Sequence, residues 1–114
     1  MANNAYKDKL EEYISNIPIY MYVFEVEYRH VRTNIVLVYK EETLSDLYNK
    51  VCYSFGCNVK KLFFYSAQGE NILIPPTPRI KLSNFVYEYE IKRNALSNLY
   101  AGSSPAVYKI YLEE

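Results

Sequence analysis

The stretch TLSDLYNKVCYSFG, residues 43–56, constrains the fold more than any other. Leu44, Leu47, Tyr48, Val51 and Phe55 recur at intervals of three and four and so share one stripe of a helix. Thr43 with Asp46 three residues on has the form of a capping box, with Asp in place of the usual Glu or Gln. Gly56 stands where a left-handed C-cap is wanted. Segments on both sides alternate with the two-residue period of strands. A lone amphipathic helix among strands must lay its stripe on a sheet, which makes the chain α+β.

The strands can be placed in order. Ile19 to Tyr28 sets Tyr22, Phe24, Val26 and Tyr28 against Val23, Glu25 and Glu27, and the glutamates mark the outer face. His30 to Asn34 reads as a hairpin loop and Ile35 to Tyr39 as the partner strand. After the helix come a strand over about Lys60 to Ser66 and a short one at Asn71 to Ile74, stopped by Pro75-Pro76-Thr77-Pro78. Ile80, Leu82 and Phe85 anchor a turn, and Val86 to Ile91 alternates enough to be an additional strand. Asn94 to Tyr100 fits a short helix, and Ala106 to Leu112 is the last strand, with Tyr108, Ile110 and Leu112 on one face and Val107, Lys109 and Tyr111 on the other. Ahead of all these, Tyr6, Leu10, Tyr13 and Ile14 are spaced for a short helix that ends before Ile17-Pro18.

Order and motifs together resemble ubiquitin and its relatives from about Met21 to Leu112. The motifs are Met21-Tyr22-Val23-Phe24, Thr43-Leu44-Ser45-Asp46-Leu47, Lys61-Leu62-Phe63-Phe64 and Leu82-Ser83-Asn84-Phe85, the last similar to the Leu-Ser-Asp-Tyr turn of ubiquitin. The resemblance implies a β-grasp, a mixed sheet curled around one main helix, here with an extra N-terminal helix and an insertion before the last strand. On this reading residues 1–18 are a helical extension and residues 19–114 the ubiquitin-like domain, with the insertion at about 86–105. Gapless matching to ubiquitin would turn Glu25 inward, whereas the alternation puts Tyr22, Phe24 and Val26 there, so a shifted register is expected. Conjugated relatives end in Gly-Gly; this sequence ends Tyr111-Leu112-Glu113-Glu114, so conjugation is not expected of it.

Charge and chemistry narrow the function. Lys plus Arg and Asp plus Glu balance at 13 each, which argues against general binding to nucleic acid or an acidic membrane. No apolar run has the length of a membrane span, and residues 1–16 lack the apolar run of a signal peptide. An intracellular protein, cytoplasmic or nuclear, is therefore expected. The Asn-, Ile-, Lys- and Tyr-rich vocabulary is that of an AT-rich coding genome such as a parasite's or a large virus's; a viral chain would work in the host cytoplasm. Cys52 and Cys57 are the only cysteines and His30 the only histidine, too few ligands for zinc, so buried reduced thiols and a solvated loop histidine are expected. Gly56, Gly69 and Gly102 are isolated at turns or caps and form no phosphate loop. No catalytic constellation, metal site or cofactor site is expected.

What remains is a surface. In Lys61-Leu62-Phe63-Phe64-Tyr65, Leu62 and Phe64 on the helix side leave Phe63 and Tyr65 on the other. Ubiquitin carries on the exposed face of this strand an isoleucine that most of its receptors grip, and the resemblance matches Phe63 to it. Lys109 and Tyr111 share that face, and Val31 sits in the first hairpin loop. The expectation is a non-catalytic, non-conjugating interaction module that binds a protein partner through Phe63, Tyr65, Lys109, Tyr111 and Val31. A second reading is a structural or particle subunit that self-associates through a tyrosine-rich face or strand edge, since the chain has 14 Tyr and no Trp. Whether Phe63 is open, or covered by the N-terminal helix (Tyr6, Leu10, Ile14) or the insertion (Leu96, Leu99, Tyr100), stays open at this point.

Overall fold

A computed structural model describes Asn16, Pro18, residues 20–93 and residues 107–114. The order is β1 (Met21–Tyr28), β2 (Arg32–Tyr39), α1 (Leu44–Phe55), β3 (Lys61–Tyr65), β4 (Asn71–Ile74), α2 (Leu82–Arg93) and β5 (Val107–Glu113). The described strands form one sheet in the order β2-β1-β5-β3-β4. β5 enters parallel to β1 at its centre, and the other pairings are antiparallel. This is the mixed sheet of a ubiquitin-like β-grasp, as the motif order implied. The expected N-terminal helix, the segment Asn94 to Tyr100 and most of the insertion lie outside the described residues.

The helix α1 forms for the reasons its sequence states. The Thr43 hydroxyl accepts from the Asp46 N–H at 3.3 Å, and the Asp46 carboxylate accepts from the Thr43 N–H at 3.0 Å, closing the capping box. Gly56 ends the helix at φ 67°, with its N–H donating to the Cys52 carbonyl at 2.9 Å. A left-handed residue here would cost any side chain energy that glycine avoids. Leu44, Leu47, Tyr48, Val51 and Phe55 are all buried. They meet Phe24 and Val26 of β1, Val36 and Val38 of β2, Leu62 and Phe64 of β3, Ile74 of β4, and Tyr108, Ile110 and Leu112 of β5. The alternation in β1 therefore gave the right register, and Glu25 and Glu27 face outward.

Three expectations need correction. Residues Val86 to Ile91 are not a strand but the body of α2, which begins at Leu82 within the motif read as a turn. The buried residues Leu82, Phe85, Val86 and Tyr89 follow helical spacing, while Tyr87 and Ile91 are exposed. On a strand Tyr87, Tyr89 and Ile91 would share a face; the alternation of acidic and apolar residues masked the three-and-four rhythm beneath it. The first hairpin loop is also shorter than His30 to Asn34, because β2 already starts at Arg32. Arg29 and His30 both take left-handed angles, φ 52° and 60°, and the Val31 N–H donates to the Tyr28 carbonyl at 3.0 Å. Finally, Val23 is fully buried on the outer face, packed with Met21, Ile35, Leu37 and Val107. That face is apolar at one end and not uniformly the glutamate side.

α2 is tied to α1 and to β5. The Leu82 N–H donates to the Glu42 carbonyl at 2.7 Å and the Leu44 N–H to the Ile80 carbonyl at 3.0 Å, so the two helices start side by side. The Tyr89 hydroxyl donates to the Lys109 carbonyl at 3.0 Å and accepts from the Lys109 N–H at 3.1 Å. Paired residues of β3 and β5 end at Phe63 and Tyr111, and one phenol takes over the strand's polar groups just beyond. The Tyr48 hydroxyl plays a similar part between β3 and β4, accepting from the Leu62 N–H at 2.9 Å and donating to the Ile74 carbonyl.

Candidate functional site

The register fixes which residues share the outer face. Glu27 stands beside Tyr111, Tyr111 beside Phe63, and Phe63 beside Leu73, one row across four strands. Tyr65 lies two residues along β3 and Lys109 two along β5, on the same face. Phe63 and Tyr111 stack at 5.5 Å between ring centroids with 21° between their planes. Tyr65 stands edge-on to both, 5.6 Å from Phe63 and 5.0 Å from Tyr111. Offset stacking and edge contacts are the arrangements that aromatic quadrupoles favour. The result is a firm aromatic cluster with Phe63 and Tyr111 half-buried and Tyr65 exposed.

Two ammonium groups flank it. Lys61 Nζ lies 5.4 Å from the Phe63 ring centre and Lys109 Nζ 5.8 Å from that of Tyr111, both within cation–π range. Each also has a carboxylate partner: Lys61 with Glu113 at 3.5 Å and Lys109 with Glu27 at 3.3 Å. The other oxygen of Glu27 is 2.7 Å from His30 Nδ1. Partial burial disfavours the charge on Lys109, but Tyr111, Glu25 and Glu27 outweigh it and hold the ammonium above its usual pKa. Lys109 therefore stays charged through the neutral range.

Four of the five anticipated contact residues, Phe63, Tyr65, Lys109 and Tyr111, are thus brought together. Val31 is not one of them: it sits 85% exposed at the β1–β2 hairpin, on neither of the strands β3 and β5 that carry the cluster. Sequence reasoning missed Leu73, which is 54% exposed opposite Phe63, and Lys61. The signal for Leu73 was present in Asn71-Ile72-Leu73-Ile74: if Ile72 and Ile74 face the core, Leu73 must face away. His30 is solvated apart from its contact with Glu27. Both cysteines are free but half-buried, not fully buried as expected, and burial pushes the Cys57 thiol up, away from a reactive thiolate. Among the described residues no group of three or more His, Cys, Asp or Glu could hold a metal ion, and no helix is long and apolar enough to cross a membrane.

Similarity to solved structures agrees with this architecture. A designed protein based on ubiquitin superposes with a TM-score of 0.50 at 15% sequence identity, covering 84% of this chain and 90% of the design. An Arabidopsis thaliana protein, determined by combining evolutionary couplings with sparse NMR data, also superposes with a TM-score of 0.50. It is 17% identical, covering 85% of this chain and 89% of its own. The fold is therefore ubiquitin-like. No family model matches the sequence, and no curated protein matches it either.

Proposed function

We propose that this chain is a non-catalytic protein-interaction module whose contact surface is the outer sheet face around Phe63, Tyr65 and Tyr111, with Leu73 and Lys109 at its margin. The observation that supports it is the aromatic cluster itself. Three rings and a leucine stand on the face of the sheet opposite the helices, beside two ammonium groups and their carboxylates. Aromatic anchors within a polar, charged rim are the pattern of interface hot spots. The groups present suit binding over catalysis, because both lysines are already engaged by carboxylates and the remaining surface is ring faces. The favoured partner offers an aliphatic side chain to lie on the rings and mixed charges to exchange with the two ion pairs.

The test compares capture of native partners by the wild-type chain and by Phe63→Asp and Tyr65→Glu variants, with circular dichroism confirming the fold. Loss of the same partner bands in both variants is the expected result. Unchanged capture by two folded variants would overturn the proposal. Sedimentation of the wild type at micromolar concentration separates this reading from self-assembly, which would show a concentration-dependent oligomer lost in the same variants.

A further inference from the structure

β4 is an outer strand of the described sheet. The Ile74 carbonyl turns toward β3, where the Tyr48 hydroxyl links it to the Leu62 N–H. Since backbone groups alternate along a strand, Ile72 also turns toward β3, and the N–H and C=O groups of Asn71 and Leu73 point to the open side. No described strand lies there. Beside this edge, between β4 and α2, is a cavity of about 270 Å³. Phe64, Ile72, Ile80 and Phe85 give it apolar walls, and Arg79 and Lys92 stand at its margin.

Some cations of the chain are paired and others, Arg29, Arg32, Lys40 and Lys60 among them, have no carboxylate within ion-pair distance among the described residues. Lys50, Lys61, Lys81 and Lys109 each have a carboxylate within ion-pair distance. Arg79 and Lys92 have none among the described residues, and both are exposed. The single acidic group at the cavity, Glu88, leaves one positive charge in excess. An open strand edge supplies hydrogen bonds to any extended segment, and a pocket beside it selects a side chain.

We infer that the β4 edge and the adjoining cavity form a second binding site, distinct from the aromatic cluster, for a short extended peptide carrying an aliphatic side chain and, two residues away, a carboxylate. The peptide adds as a strand along Asn71 to Leu73, its aliphatic group fills the cavity, and its carboxylate, on the same face of the added strand, meets Arg79 and Lys92. Pro75 and Pro76 end the edge, so only three or four residues of the peptide pair with it.

A fluorescein-labelled acetyl-TVTLTE-amide peptide tests this by anisotropy at low salt, with amide exchange followed by NMR. Saturable binding is expected, with slower exchange at the Asn71 and Leu73 amides. Combined Arg79→Glu and Lys92→Glu substitution, on exposed side chains, should weaken binding at least tenfold, and Ile80→Trp, which fills the cavity mouth, should do the same. Phe63→Asp should leave the affinity unchanged, which keeps this site separate from the proposed partner face. No saturation at millimolar peptide, a change below threefold on charge reversal in a folded variant, or loss with Phe63→Asp alone would overturn the inference.

Discussion

Tyr89→Phe tests how α2 holds the sheet. The Tyr89 side chain is 3% exposed, and its ring packs 4.6 Å from Phe64, 5.3 Å from Tyr108 and 6.1 Å from Phe85 between centroids. Phenylalanine keeps those ring contacts and removes only the hydroxyl. The Lys109 N–H and C=O then lose their bonds at 3.1 and 3.0 Å, with β3 no longer paired at that position. A net hydrogen bond contributes about 1 kcal/mol, and an unsatisfied group that is shielded from water costs about 1–3 kcal/mol. Lys109 is half-buried, so water recovers part of the loss. The expected destabilisation is about 2 kcal/mol, roughly 8 °C in melting midpoint for a chain of this size. Urea unfolding measures it, with an unchanged m-value showing that the unfolded state is unaltered. Faster exchange of the Lys109 amide should accompany it. A loss below about 0.5 kcal/mol, within the range of an ordinary surface substitution, would refute the link between α2 and β5.

Other perturbations test separate parts of the structure. Thr43→Ala removes one arm of the capping box and should cost about 1 kcal/mol in urea unfolding. Replacing Arg29 and His30 by Asn and Gly relieves two left-handed residues and should raise stability by about 1 kcal/mol; an unchanged midpoint would contradict the turn geometry. Alkaline titration offers a fourth check. Burial, then the Glu90 carboxylate that accepts from its hydroxyl at 2.9 Å, raise the Tyr108 pKa, and burial leads the same upward shift at Tyr22 and Tyr48. A phenol whose folded pKa lies above its unfolded value is favoured while protonated. Stability is therefore full below about pH 10 and declines above it as the unfolded chain ionises. Tyr108→Phe should make that decline shallower, read as unfolding midpoints between pH 8 and 11.

The sequence made the main helix legible because capping chemistry, apolar spacing and the glycine stop agree over Thr43 to Gly56. It also gave the inward set of β1, since Glu25 and Glu27 forced the alternation. α2 escaped because Tyr87, Glu88, Tyr89 and Glu90 alternate locally, while its burial rhythm runs from Leu82 to Tyr89 and includes a motif that resembled a turn. The aromatic face was readable from Lys61 to Tyr65 alone. Local alternation also puts Lys61 on the face of Phe63 and Leu73 on the face away from Ile72 and Ile74; only the placing of Leu73 directly beside Phe63 needed strand register, a long-range property. Val31 was placed by analogy with a hairpin loop, and the sheet order sets β5 between that β1–β2 hairpin and the Phe63 strand. The β4 cavity arises where two distant segments meet at Ile72 and Phe85, so nothing in either segment announces it.

The most direct test of the partner face is photo-cross-linking. A benzophenone amino acid placed at position 65, beside Phe63 and Tyr111, is irradiated in extract of the native cells and compared with the same group at position 53. Tyr53 is 91% exposed on α1, which packs on the opposite face of the sheet. Discrete cross-links to another protein from position 65, absent from position 53, are predicted. Equal labelling from both positions, or cross-links from position 65 only to second copies of this chain, would contradict the claim that this face receives a partner.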